Sequence, residues 1–106
     1  MAKTQLIFEH SIAKLSLCNP EKHNAFDDEI IQELRQHLAS IHQMKDVRTL
    51  LLRAEGKSFC AGADLGWMKR MANLSEAENL QDAKELAGLM ADLYALPFPT
   101  VVSIQG

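Results

Sequence analysis

Two cysteines, three prolines, five glycines, one tryptophan and one tyrosine are few for 106 residues, and each scarcity removes a class of explanation. Cys18 and Cys60 have no second Cys or His at ligand spacing, which excludes a disulfide framework and a tetrahedral metal site and leaves reduced, buried thiols. Cys60 also has no cationic neighbour in sequence to make it a nucleophile. The low Gly and Pro content excludes collagen-like and low-complexity chains. No apolar run approaches the roughly 18 residues that cross a bilayer, so no membrane partner is expected. Met1 to His10 alternates and carries Glu9, unlike the continuous apolar core of a signal peptide, and the expected location is the cytoplasm. A net charge of -3 arises from interleaved signs, as in Lys69 and Arg70 before Glu76 and Glu78, which leaves no basic surface to hold nucleic acid.

What is present is a globular composition, 47% hydrophobic and 24% charged, long enough for one domain. A chain of this size buries roughly 60 to 70% of its unfolded surface. Gln5 to Glu9 and Ile12 to Leu17 alternate apolar and polar residues around His10 and Ser11, the pattern of an antiparallel hairpin. Cys18 to Asn24 breaks that pattern with Asn and Pro and reads as a loop. From Asp27 the spacing becomes helical: Ile30, Ile31, Leu34, Leu38 and Ile41 form one stripe, with Asp27 as N-cap, Phe26 placed to staple onto Ile31, and an end near Met44.

Val47 to Ala54, with three consecutive leucines, predicts a strand buried on both faces. Leu65 to Ala72 predicts a short helix capped by Asp64. Ser75 and Glu78 have the spacing of a capping box for a longer helix, whose expected core face is Leu80, Ala83, Leu86 or Ala87, Met90 and Leu93. Pro97 and Pro99 end it, and Thr100 to Ile104 predicts a last β-branched strand. The order strand, strand, helix, strand, helix, strand argues for an α/β fold. A strand of the buried type at the end, with no helix after it, predicts that the domain continues.

The segment with chemical content is Ser58 to Leu65, where Ala61, Gly62 and Ala63 put small residues between a strand and a helix. Such a segment lets backbone N–H groups approach a ligand carbonyl without obstruction. Donors preorganised on a developing oxyanion contribute about 3 to 4 kcal/mol each to a transition state. The alternative is a tight strand-to-helix connection that needs small residues only for packing, with Asp64 an ordinary cap. None of His10, His23, His37 and His42 has an Asp or Ser arrangement suggesting a triad, and all four read as surface or packing residues.

Three segments together resemble the enoyl-CoA hydratase/isomerase (crotonase) family. Asn19-Pro20-Glu21-Lys22-His23-Asn24-Ala25-Phe26 resembles its N-P-x-x-x-N-A segment, and Gly56 to Leu65 resembles its G-x-x-F-x-A-G-A-D-L segment. Pro97 to Gly106 resembles its P-x-P-[TV]-[IV]-A-x-[IV]-x-G segment, all three in the family's order. The resemblance implies the N-terminal portion of a crotonase-like ββα spiral, with residues 1–106 part of a single domain that stops before the second oxyanion-hole segment and the acid/base glutamates.

It further implies that the Ala63 N–H is one donor to a thioester carbonyl. Ala61, Gly62, Asp64 and Leu65 would line the coenzyme A site, with Lys22, Asn24 and Ala25 beside its nucleotide and pantetheine portions. Read as residues alone, Lys22 is equally a solvated loop lysine, and Asn24 bonds its own loop. Asp64 to Met71 and Glu78 to Leu80 resemble members acting on branched, carboxylated enoyl-CoA substrates of the methylglutaconyl-CoA type. Trp67, Met68 and Met71 are then acyl-pocket or core residues, and Lys69 or Arg70 either meets a substrate carboxylate or is solvated.

The implied activity is addition of water to an α,β-unsaturated acyl-CoA, in fatty-acid, branched-chain amino-acid or isoprenoid breakdown. No permanent cofactor is implied; coenzyme A would enter as part of the substrate, and the resemblance implies a homotrimer or homohexamer for the full-length protein. Two alternatives stay open: a crotonase-fold isomerase, thioesterase or decarboxylase, and a non-catalytic CoA-binding or assembly fragment.

Overall fold

The computed structural model describes residues 2–106. Strands β1 (Thr4–Glu9) and β2 (Ile12–Leu17) pair antiparallel from Thr4 opposite Leu17 to Glu9 opposite Ile12. The turn between them uses His10 and Ser11, both left-handed at φ 52° and 67°, the backbone that a two-residue hairpin needs to match the strand twist. A single 3-10 turn, Pro20–Lys22, interrupts the expected loop and leads to helix α1 (Asp28–His42). Asp27 caps α1 by accepting the Ile30 N–H at 2.9 Å. All five stripe residues, Ile30, Ile31, Leu34, Leu38 and Ile41, are buried.

Strand β3 (Thr49–Ala54) pairs parallel to β2, and β4 (Thr100–Val102) pairs parallel to β3, so the sheet order is β1-β2-β3-β4. Helices α2 (Leu65–Ala72) and α3 (Glu76–Tyr94) lie between β3 and β4 in the chain. The core joins Ala13, Leu15 and Leu17 of β2 and Leu50 of β3 to the α1 stripe, with Trp67 and Leu89 from α2 and α3.

β3 is shorter than expected and is not buried on both faces: Leu50 is fully buried, while Leu51 and Leu52 are only half-buried. Alternation accounts for Leu51, which points with Arg53 to the face opposite the core beside Lys14 and Ser16 of β2, while Leu50 and the half-buried Leu52 turn toward the core. β4 is likewise shorter than expected, and exposed along its length.

In α3 the expected core face holds only at Leu93, since Leu80 and Met90 are more than half exposed and the buried residue is Leu89. The packed side carries Glu85, Leu89, Asp92 and the half-buried Leu93, with Leu96 packing against the core just beyond the helix. It is held to α1 by Arg35, whose Nη1 donates to Glu85 at 2.9 Å and whose Nε donates to Asp92 at 2.7 Å. A helix with apolar residues on two sides has no single stripe to read. The ion pairs and Leu89 select the side that meets α1.

Candidate functional site

The turn joining β3 to α2 is stitched to the segment that precedes α1. The Ala61 N–H donates to the His23 carbonyl at 3.0 Å, Phe26 N–H to the Gly62 carbonyl at 2.6 Å, and Asp64 N–H to the Phe26 carbonyl at 2.7 Å. Phe26 and Ala63 thereby form a parallel bridge. In such a bridge Gly62 and Asp64 spend their groups on Phe26, so the N–H of Ala63 between them points the other way. Ala63 is exposed, and its N–H has no acceptor within the chain among the described residues. An unpaired N–H on a turn held to Phe26 is available to a carbonyl oxygen brought to it.

The turn is shaped by three local features. Gly62 has φ 104°, a backbone closed to side chains even though a Cβ there would meet nothing within 4 Å. The Cys60 Sγ lies 3.5 Å from the Gly62 N. Asp64 caps α2 by accepting the Trp67 N–H at 3.0 Å, which sets the positive end of the helix next to Ala63. That backbone bond, helped by the nearby Lys22 ammonium, holds the Asp64 carboxyl below the usual carboxylate range and keeps it an acceptor. Lys22 Nζ lies 3.7 Å from Asp64 Oδ1 with most of its side chain in solvent.

Asn24 sits beneath this turn, fully buried and left-handed at φ 56°. Its Oδ1 accepts the Asn19 N–H at 2.8 Å, and its Nδ2 donates to the Glu55 and Ser58 carbonyls at 2.8 and 2.9 Å. Both amide hydrogens are thus spent inside the protein. Lys22, Ala61, Gly62, Ala63 and Asp64 come together around the turn, whereas Asn24 and Ala25 are interior. Leu65 and Met68 share the exposed side of α2. Trp67 faces the other way into the core, bordering a cleft with Asp28, Ile31, Gln32, Asp82 and Glu85. Met71 is half-buried against the same core, and Arg70 donates to Asp28 at 3.2 Å.

The four histidines form no triad with these groups: His37 Nε2 lies 3.1 Å from Thr4 Oγ1, and His23 Nδ1 lies 3.4 Å from Ser58 Oγ. Burial pushes the Cys18 thiol up. Among the described residues no group of three His, Cys, Asp or Glu side chains is placed to hold a metal, and no helix is long and apolar enough to cross a membrane. Sequence reasoning passed over Gln105, whose side-chain amide reaches back to the Ala54 and Gly56 carbonyls. Its position inside the Pro97 to Gly106 segment was the only signal available.

Residues 7–106 match the model of the family described as enoyl-CoA hydratase/isomerase. The human enoyl-CoA hydratase domain-containing protein 2, mitochondrial, is 36% identical over 99 residues, covering 92% of this chain and 33% of its own length. An enoyl-CoA isomerase/hydratase of Mycosarcoma maydis is 37% identical over 100 residues, covering 87% of this chain and 35% of its own. A Legionella pneumophila crystal structure assigned to the enoyl-CoA hydratase/isomerase (crotonase) group superposes with a TM-score of 0.96 at 39% identity, over 100% of this chain and 41% of that one. The chain thus spans about a third of the length of these curated relatives. Strand for strand and over nearly its whole length, the chain belongs to the enoyl-CoA hydratase/isomerase family and has the α/β fold of the crotonases.

Proposed function

We propose that the protein carrying this chain binds an acyl-CoA thioester and adds water across its α,β double bond. The observation that carries this reading is the exposed, unpaired Ala63 N–H on the Phe26-bridged turn. In this reading that N–H donates to the thioester oxygen. Ala61, Gly62, Asp64 and Leu65 lie along the coenzyme A chain, and Lys22 faces its phosphates. As charge builds on the oxygen, water gives a proton to a carboxylate of the remaining protein as its oxygen bonds to the β carbon, the double-bond electrons move into an enolate-like state, and a proton is delivered to the α carbon.

Residues 1–106 are then the N-terminal part of one domain, and a second donor and the carboxylates that move protons belong to the remainder of the protein. A branched or carboxylated acyl group of the methylglutaconyl type, with Met68 beside it, and a trimeric or hexameric assembly complete the proposal. Location in the cytoplasm is the accompanying reading, although the human relative's name places that protein in mitochondria. A second reaction, double-bond isomerisation, is favoured by the fungal relative's name and draws on the same carbonyl contact.

The test is an intact mass on the purified protein, paired with turnover of crotonyl-CoA and 3-methylglutaconyl-CoA. A mass above that of the 106 residues, with loss of the enoyl absorbance and a 3-hydroxyacyl product, is expected. A shifted double bond without added water supports isomerisation instead. Absence of both turnover and CoA-thioester binding overturns the proposal.

A further inference from the structure

The backbone between the end of β3 at Ala54 and the head of α2 at Leu65 has no ladder of its own, so the direction of the Ala63 N–H depends on what clamps this stretch. Asn24 clamps it from beneath through the Glu55 and Ser58 carbonyls. From the other side comes Gln105. Its Nε2 donates to the Ala54 carbonyl at 2.8 Å and the Gly56 carbonyl at 3.1 Å, and its own backbone carbonyl accepts the Phe59 N–H at 3.0 Å. The next residue presses on the same stretch: Gly106 has φ 90°, and a Cβ there would lie 2.8 Å from the Lys57 carbonyl oxygen and 3.0 Å from the Ser58 Cα. Beyond Phe59 the chain passes directly into the Ala61 to Asp64 turn.

We propose that Gln105 is a positioning residue for the Ala63 N–H, fixing the β3 end of the turn through its side-chain amide while Phe26 fixes the α2 end. This rests on the reading of Ala63 as a carbonyl donor. A donor helps a developing oxyanion only if it is already aimed, and a displacement of about 1 Å can cost a hundredfold in rate. Gln105 suits the role because it is half-buried at the edge of the fold and lies outside the core, unlike Asn24, whose loss would also unpair the Asn19 turn. Its amide is the group that matters: an amide nitrogen supplies two donors to two carbonyls, which a carboxylate or an aliphatic chain cannot.

The test uses the full-length protein with Gln105→Leu, which removes both donors, and Gln105→Glu, which keeps the shape but sets acceptors against carbonyls. For both variants kcat should fall about tenfold to a hundredfold while KM stays within about twofold. Amide hydrogen exchange at Phe59, Ala61 and Asp64 should speed up, with exchange at Ile30 and Leu50 in the core unchanged. Unchanged kcat in both variants overturns the inference. So does a joint shift of kcat, KM and core exchange, which would mark a general loss of fold. If the wild-type protein turns over no CoA thioester, the hydratase reading fails by itself. Exchange alone then decides the clamp: faster exchange at the three turn amides supports it, and unchanged exchange overturns it.

Discussion

Asn24 and Ala63 divide the work of the turn between a side chain and a backbone. Replacing Asn24 with Ala leaves the Asn19 N–H and the Glu55 and Ser58 carbonyls without their partner and keeps a left-handed backbone that Ala resists. These bonds are part-buried and each contributes about 1 kcal/mol net, so losing the three should cost Asn24→Ala about 3 kcal/mol in urea unfolding. Ala63→Pro deletes an N–H that has no acceptor among the described residues, so its thermal midpoint should stay near wild type. Its kcat in the full-length protein should fall by about 10² to 10³. A Pro variant with wild-type turnover would remove Ala63 from the reaction. Single residues were readable to different depths. The small residues of the turn and the bonding habit of Asn24 follow from residue chemistry, but the direction of the Ala63 N–H follows from Phe26, a partner distant in sequence.

The helix ends were the most legible elements, because a cap is settled within one turn of chain. Asp27 and Asp64 accept the N–H three residues on, and Ser75 and Glu78 close a reciprocal capping box at 3.1 Å in each direction. The Ser75 backbone N–H holds the Glu78 carboxyl below its ordinary value, and the Trp67 N–H does the same for Asp64. Both groups have folded values lower than unfolded ones. Their contribution is therefore complete above the ordinary carboxylate value of about 4 and is lost as pH falls through the folded values. The wild-type thermal midpoint should drop over that acidic window. Asp64→Asn still caps α2 but does not titrate, so the gap between wild type and variant should narrow as the pH falls. Scanning calorimetry across the window checks this, and parallel curves would mean the Asp64 charge adds nothing. The packed side of α3 was not legible, because Leu80, Leu86 and Met90 share the apolar spacing of Leu93, and it is Leu89 together with the ion pairs to Arg35 on α1 that selects the side.

Across the whole molecule, stability rests on the layer between α1 and the inner face of β2 and β3. Leu15 lies in it at 1% exposure, and Leu15→Ala should cost about 3 kcal/mol in chemical denaturation, because the surrounding strands cannot close on the void. A loss well under that would mean the sheet relaxes. Away from this layer Leu65, Met90, Tyr94, Val101 and Ile104 stay exposed.

The sequence by itself determined the hairpin, the α1 stripe, the three caps and the small-residue turn, because each depends on residues within a few positions of one another. Only the tertiary structure decided the parallel order of β2, β3 and β4, the side of α3 that packs, and the outward aim of Ala63. Those depend on backbone hydrogen bonds and ion pairs between segments far apart in the chain, and local periodicity carries no information about such partners.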